Sequence, residues 1–98
     1  DFMAPGGEVA EDANGDGYPD GVLSTYRDDS DGSAAYMFLN GTSMASPHAA
    51  GVGALYKSNF GDAASSTIVS WIINSATVGP ISSNPIGTPN RLLFKGGL

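Results

Sequence analysis

The chain has 98 residues, 41% apolar and only 14% charged, a composition that forms cores and excludes a disordered segment. A formal charge of −6 argues against nucleic-acid binding, and the absence of cysteine excludes disulfides, thiolate metal sites and a cysteine nucleophile. No apolar run approaches the roughly 20 residues needed to cross a bilayer.

Residues 1–7 read as the end of a short strand entering a turn at Ala4-Pro5-Gly6-Gly7. Residues 8–21 form a polar, acidic insertion that reads as a loop. Strands are expected at 22–26 and 35–39, separated by the acidic turn 28–32, and the second ends at Asn40-Gly41. From Ser43 to about Ser58 the pattern predicts a helix apolar nearly all round, through Met44, Ala45, Ala49, Ala50, Val52, Ala54, Leu55 and Tyr56. Such a helix belongs inside a core. A second helix starts near Ser65 or Ser66, either of which can cap it, and sets Ile68, Val69, Ile72, Ile73 and Ala76 on one face. Gly79-Pro80 ends it, and residues 91–94 read as a last short strand. Two helices and a few short strands give a buried helix little cover. The chain therefore reads as part of a larger α/β domain, and its start at Asp1, without an initiator methionine, leads us to expect polypeptide upstream.

The stretch with most chemical content is Gly41-Thr42-Ser43-Met44-Ala45-Ser46-Pro47-His48. Asn40-Gly41 breaks a strand, Ser43 opens a helix, and Pro47 is expected in the first turn, where a missing N–H costs least. A serine hydroxyl there lies beside unpaired backbone N–H groups at the positive end of the helix dipole. It can serve as an N-cap, or as a nucleophile whose developing oxyanion those N–H groups stabilise. Geometry alone leaves both open.

Continued to Ala49-Ala50-Gly51, the string resembles the nucleophile signature of the subtilisin-like serine proteases, the subtilases. Ala4-Pro5-Gly6 and Leu23-Ser24-Thr25 look like the family's segment ahead of the nucleophile. Gly87-Thr88-Pro89-Asn90-Arg91-Leu92-Leu93 is similar to the end of the catalytic domain in the proteinase K-like branch. The resemblance covers most of residues 1–98, leaving out the acidic stretch 8–20. It implies the C-terminal portion of a three-layer α/β domain with a largely parallel sheet. It also implies an extracellular serine endopeptidase acting on proteins or peptides through an acyl-enzyme on Ser43. The family's chain order places the triad aspartate and histidine, and the oxyanion-hole asparagine, upstream of the serine. What this chain retains of the oxyanion hole is the Ser43 N–H, supported by Thr42. The isolated chain is expected to be inactive.

His48 is the sole histidine. Five residues along a helix turn a side chain by about 500°, leaving it about 140° from Ser43, so it is expected to be structural and not the general base. Met44, directly after the serine, is either a packing residue or an oxidation-sensitive neighbour of the oxyanion site. Asn40-Gly41-Thr42 fits a glycosylation pattern, read here as coincidence because the loop should face substrate.

The acidic loop sets Asp12, Asn14 and Asp16 at alternate positions, followed by Gly17, Tyr18 and Asp20. These oxygen groups, with the Tyr18 carbonyl, are expected to take a structural calcium ion, because so many close carboxylate and amide oxygens repel without a cation. Leu23 stands where an EF-hand needs its bidentate glutamate, so the loop is closer to the compact Asp-x-Asn-x-Asp-Gly type. The plainer reading is a turn-rich loop whose side chains satisfy their own backbone. Asp28, Asp29 and Asp31 could form a second, weak site. Two non-catalytic readings stand beside the protease: a calcium-binding structural module, and a fragment that associates with itself or with its missing N-terminal half.

Overall fold

The computed structural model describes residues 1–98. Its elements are β1 (Val22–Arg27), β2 (Ala34–Leu39), α1 (Thr42–Phe60), α2 (Ser65–Ser75), β3 (Thr77–Val78) and β4 (Arg91–Leu92). They fall into two compact units, Gly6–Ala45 and Asp1–Pro5 with Ser46–Leu98, so that α1 begins in one and continues in the other.

In the unit Gly6–Ala45, β1 and β2 form an antiparallel hairpin running from Val22↔Leu39 to Arg27↔Ala34. The loop closes because the Asp28 amide donates to the Ser33 carbonyl at 2.9 Å and the Gly32 amide to the Asp28 carbonyl at 2.7 Å. The register puts Val22, Ser24 and Tyr26 on one face with Ala35, Met37 and Leu39. Leu23, Thr25 and Arg27 share the other face with Ala34, Tyr36 and Phe38. Both faces are apolar, yet Tyr36 is 75% exposed, which a two-stranded ribbon with so little around it cannot prevent. Phe38 finds a partner in Tyr18, with ring centroids 6.1 Å apart. The acidic loop leaves and returns through an antiparallel bridge between Glu8 and Asp20.

In the other unit, α1 and α2 meet through a small apolar seam. Val52, Ile72 and Ala76 are buried, and Ile68 lies beside Gly53, where a Cβ would meet it at 3.7 Å. Tyr56 sits between Phe60 and Trp71, with centroids 5.0 and 5.6 Å away. The helix pair is followed by β3 and β4, paired antiparallel as Thr77↔Leu92 and Val78↔Arg91. Asn90 extends this ladder with its side chain, accepting the Ile81 N–H at 3.0 Å and donating to the Ile81 carbonyl at 2.7 Å. On the far side of β4, Met3 forms a parallel bridge with Leu92: the Met3 amide donates to the Arg91 carbonyl at 2.8 Å and the Leu93 amide to the Met3 carbonyl at 2.7 Å. The Arg91 guanidinium reaches the Ile73 carbonyl at 3.0 Å, which satisfies one of the bare acceptors at the end of α2.

Several sequence expectations need correction. The α/β character holds, but both sheets within this chain are two-stranded and antiparallel, and the Met3–Leu92 bridge is their one parallel pairing. Among α1 residues only Val52 is buried, so the helix expected in a core has most of its apolar surface open within this chain. Neither Ser65 nor Ser66 caps α2: the helix starts one residue early, with Ala64 at the N-cap and no side-chain capping bond. The Ala64 carbonyl instead receives the Thr67 and Ile68 amides at 3.0 and 3.2 Å. Pro47 is the sixth residue of α1, in its second turn, because the helix opens at Thr42. Its ring has no N–H to give the Ser43 carbonyl four residues back.

Candidate active site

The turn that delivers Ser43 is built from two glycines that approach each other's backbone. Gly41 takes φ +131°, a conformation that L side chains rarely adopt. Its amide donates to the Gly6 carbonyl at 2.8 Å, and its own carbonyl accepts from Met44 at 3.0 Å and Ala45 at 3.2 Å. Those two bonds close the first turn of α1. Between them sit Thr42 and Ser43, both exposed, whose amides open the helix with no earlier helical carbonyl to meet. Met44 is half-buried, and Asn40 is exposed. The site is thus a hydroxyl and helix-start N–H groups presented to solvent by a pinned turn. It can hold a nucleophile beside a partial positive field.

His48 lies on α1 and is exposed. Further along the same helix, Lys57 meets Asp62 at 2.6 Å just past the C-terminus of α1. There the Lys57 ammonium, by hydrogen bond first and then by charge, holds the Asp62 carboxyl below its usual range.

The loop residues singled out for a cation are brought into one self-bonded ring. Asp12 accepts the amides of Gly15 at 2.8 Å, Asp16 at 3.1 Å and Gly17 at 3.0 Å. Asn14 accepts the Asp16 amide at 3.0 Å and donates to the Asp16 carboxylate at 3.1 Å. Asp16 accepts the Tyr18 amide at 2.9 Å, and Asp20 accepts the Ala13 amide at 2.6 Å. The aspartates are turned to these amides, and no three acidic or imidazole side chains gather closely enough to hold a metal ion in this arrangement. In the hairpin loop, the Ser30 hydroxyl and then its amide hold the Asp28 carboxyl below the usual carboxylate range. Ser33, through its side chain and then its amide, does the same for Asp31.

One residue of this site was not singled out by sequence reasoning. Gly6 entered only as part of a turn and of the family-like segment Ala4-Pro5-Gly6, and nothing in its neighbours' types signals that it packs against Gly41.

The sequence profile of the subtilase family matches residues 1–93. The chain belongs to that family. This subtilase is 45% identical over 58 residues to a subtilisin-like serine protease, AsES, of Sarocladium strictum, a stretch covering 59% of the chain and 15% of that protein. It is 42% identical over 59 residues to a cuticle-degrading serine protease of Arthrobotrys oligospora, covering 59% of the chain and 14% of that protein. With an alkaline serine exoprotease A of Vibrio alginolyticus it shares 37% over 59 residues, 60% of the chain and 11% of the relative. In each case the subtilase chain spans a small part of its relative's length. No helix in it is long and apolar enough to cross a membrane.

Proposed function

We propose that this chain supplies the nucleophile, Ser43, of a secreted serine endopeptidase. The observation that carries the reading is the exposed Ser43 hydroxyl at the start of α1, on a turn fixed by Gly41. In the reaction, a histidine from polypeptide outside this chain takes the Ser43 proton as Oγ attacks the scissile carbonyl carbon. The carbonyl electrons move onto oxygen, where the Ser43 N–H stabilises them with Thr42 supporting the turn. Collapse expels the amine with the proton returned by the histidine, leaving an ester on Ser43 that water then hydrolyses. His48 takes no part, since five residues of helix set it about 140° away from Ser43 around the axis. The open apolar surface of α1 supports the rest of the reading: the missing polypeptide completes a three-layer domain with a largely parallel sheet and covers that helix.

Calcium is the second part of the proposal. Asp12, Asn14, Asp16 and Asp20, with the Tyr18 carbonyl, are an all-oxygen donor set suited to a hard cation. Binding would turn carboxylates now engaged by backbone amides toward the ion, which supplies structural order and no chemistry.

A fluorophosphonate probe tests the catalytic reading. Ser43 should be labelled quickly in the full-length protein or a reconstituted complex, barely in the isolated chain, and not at all after Ser43→Ala. Rapid labelling of the isolated chain would mean that a local base activates Ser43, and the assignment of the base to missing polypeptide would be wrong.

A further inference from the structure

We infer that Gly6 is a positioning residue for Ser43, an inference that rests on Ser43 being the nucleophile. Gly6 meets the turn ahead of the serine twice. Its carbonyl accepts the Gly41 amide at 2.8 Å. Its α-carbon lies so close to Gly41 that a Cβ there would sit 2.9 Å from the Gly41 carbonyl oxygen, 3.4 Å from the carbonyl carbon and 3.7 Å from Ala45 Cβ. Gly6 is not among the glycines with positive φ, so an alanine could adopt its backbone shape, and only space forbids the side chain.

The obstructing atom matters more than the distance. The Gly41 carbonyl oxygen is the acceptor of the Met44 and Ala45 amides, the two bonds that close the first turn of α1 around Ser43. It is backbone, so it cannot swing aside as the tip of a long side chain can. A methyl group at residue 6 must push that carbonyl, which shares its rigid peptide plane with the Thr42 N–H, and through Thr42 the push reaches the next peptide, the one that carries the Ser43 amide. Oxyanion stabilisation depends on where that amide points, and displacements of about 1 Å at a reacting centre cost on the order of 10²-fold in rate. The loss falls on the transition state, because the ground-state substrate does not yet carry the charge that the amide meets.

The test uses the full-length enzyme. Gly6→Ala is expected to lower kcat by about 10- to 100-fold while leaving KM within about twofold, with fluorophosphonate labelling of Ser43 slowed in proportion. A folded Gly6→Ala enzyme with unchanged kcat, or one whose loss lies in KM, overturns the inference. With Ser43→Ala inactive in the same assay, that result leaves the nucleophile assignment standing. A fully active Ser43→Ala enzyme overturns the assignment itself. Should Gly6→Ala fail to fold, hydrogen exchange in the parent enzyme decides: the Gly41 amide is expected to exchange slowly because it is bonded to Gly6, and exchange at the rate of an open loop would sink the proposal.

Discussion

The turn before α1 and the acidic loop handle backbone polarity in opposite ways. At the turn, backbone bonds to backbone: Gly6 and Gly41 pin each other, the Gly41 carbonyl holds two later amides, and the Thr42 and Ser43 side chains stay exposed. In the acidic loop, backbone bonds close only the base, between Glu8, Glu11 and Asp20, and side chains close the rest, Asp12 alone accepting three amides. The contrast separates a place where side chains are left available for chemistry from one where they are consumed by structure. A site that keeps its hydroxyl and N–H groups unspent needs its shape fixed by something else, here two glycines at close range.

Breaking the first region should have the largest effect. In the full-length enzyme Ser43→Ala is expected to cut kcat by about 10⁴- to 10⁶-fold, read as peptide hydrolysis under saturating substrate. A smaller but still large effect is expected from oxidation of Met44, since the sulfoxide places a polar oxygen beside the Ser43 amide. Peroxide should inactivate the parent enzyme, and Met44→Ala or Met44→Ser should resist; equal sensitivity in all three would assign the damage to another residue.

The acidic loop sharpens the comparison through calcium. If its oxygens trade backbone amides for an ion, millimolar calcium should raise Tm by several degrees and Asp16→Ala should remove most of the gain. A Tm indifferent to both calcium and chelator would leave the loop as a self-bonded turn.

The smallest effect concerns pH. The folded pKa of Asp31 is lowered by Ser33, so its stabilising contribution is present above the unfolded pKa and is lost as pH falls through the folded one. Tm should therefore fall slightly as pH drops through and below the usual carboxylate range, and Asp31→Asn should flatten a small part of that fall. Because the group lies at the surface, a large change would mean that the hairpin loop contacts other parts of the protein.

Much of this was legible in the sequence where short-range pattern decides. The hairpin strands come out within a residue or so of their expected ends, because two short runs rich in β-branched, aromatic and apolar residues flank an acidic Asp/Gly turn. The serine-bearing helix was legible from its break at Asn40-Gly41 and its motif. The β3–β4 pairing was not, since two-residue strands such as Thr77–Val78 carry no periodic signal and acquire their partners from far along the chain. Gly6 escaped for a related reason: a glycine needed for space looks like a glycine needed for a turn until its neighbour is seen. The loop aspartates were recognised as a ligand-like series, but a series of side chains does not reveal which way the oxygens face.

Pro47 has a mechanical consequence. Four residues after the serine, it denies the Ser43 carbonyl the bond that a regular helix would give it, while Gly41 still fastens the turn from the front. The serine's peptide is therefore tethered on its leading edge and slack on its trailing edge. If Ser43 is the nucleophile proposed above, the bond missing behind it leaves its peptide one restraint fewer when an adduct forms.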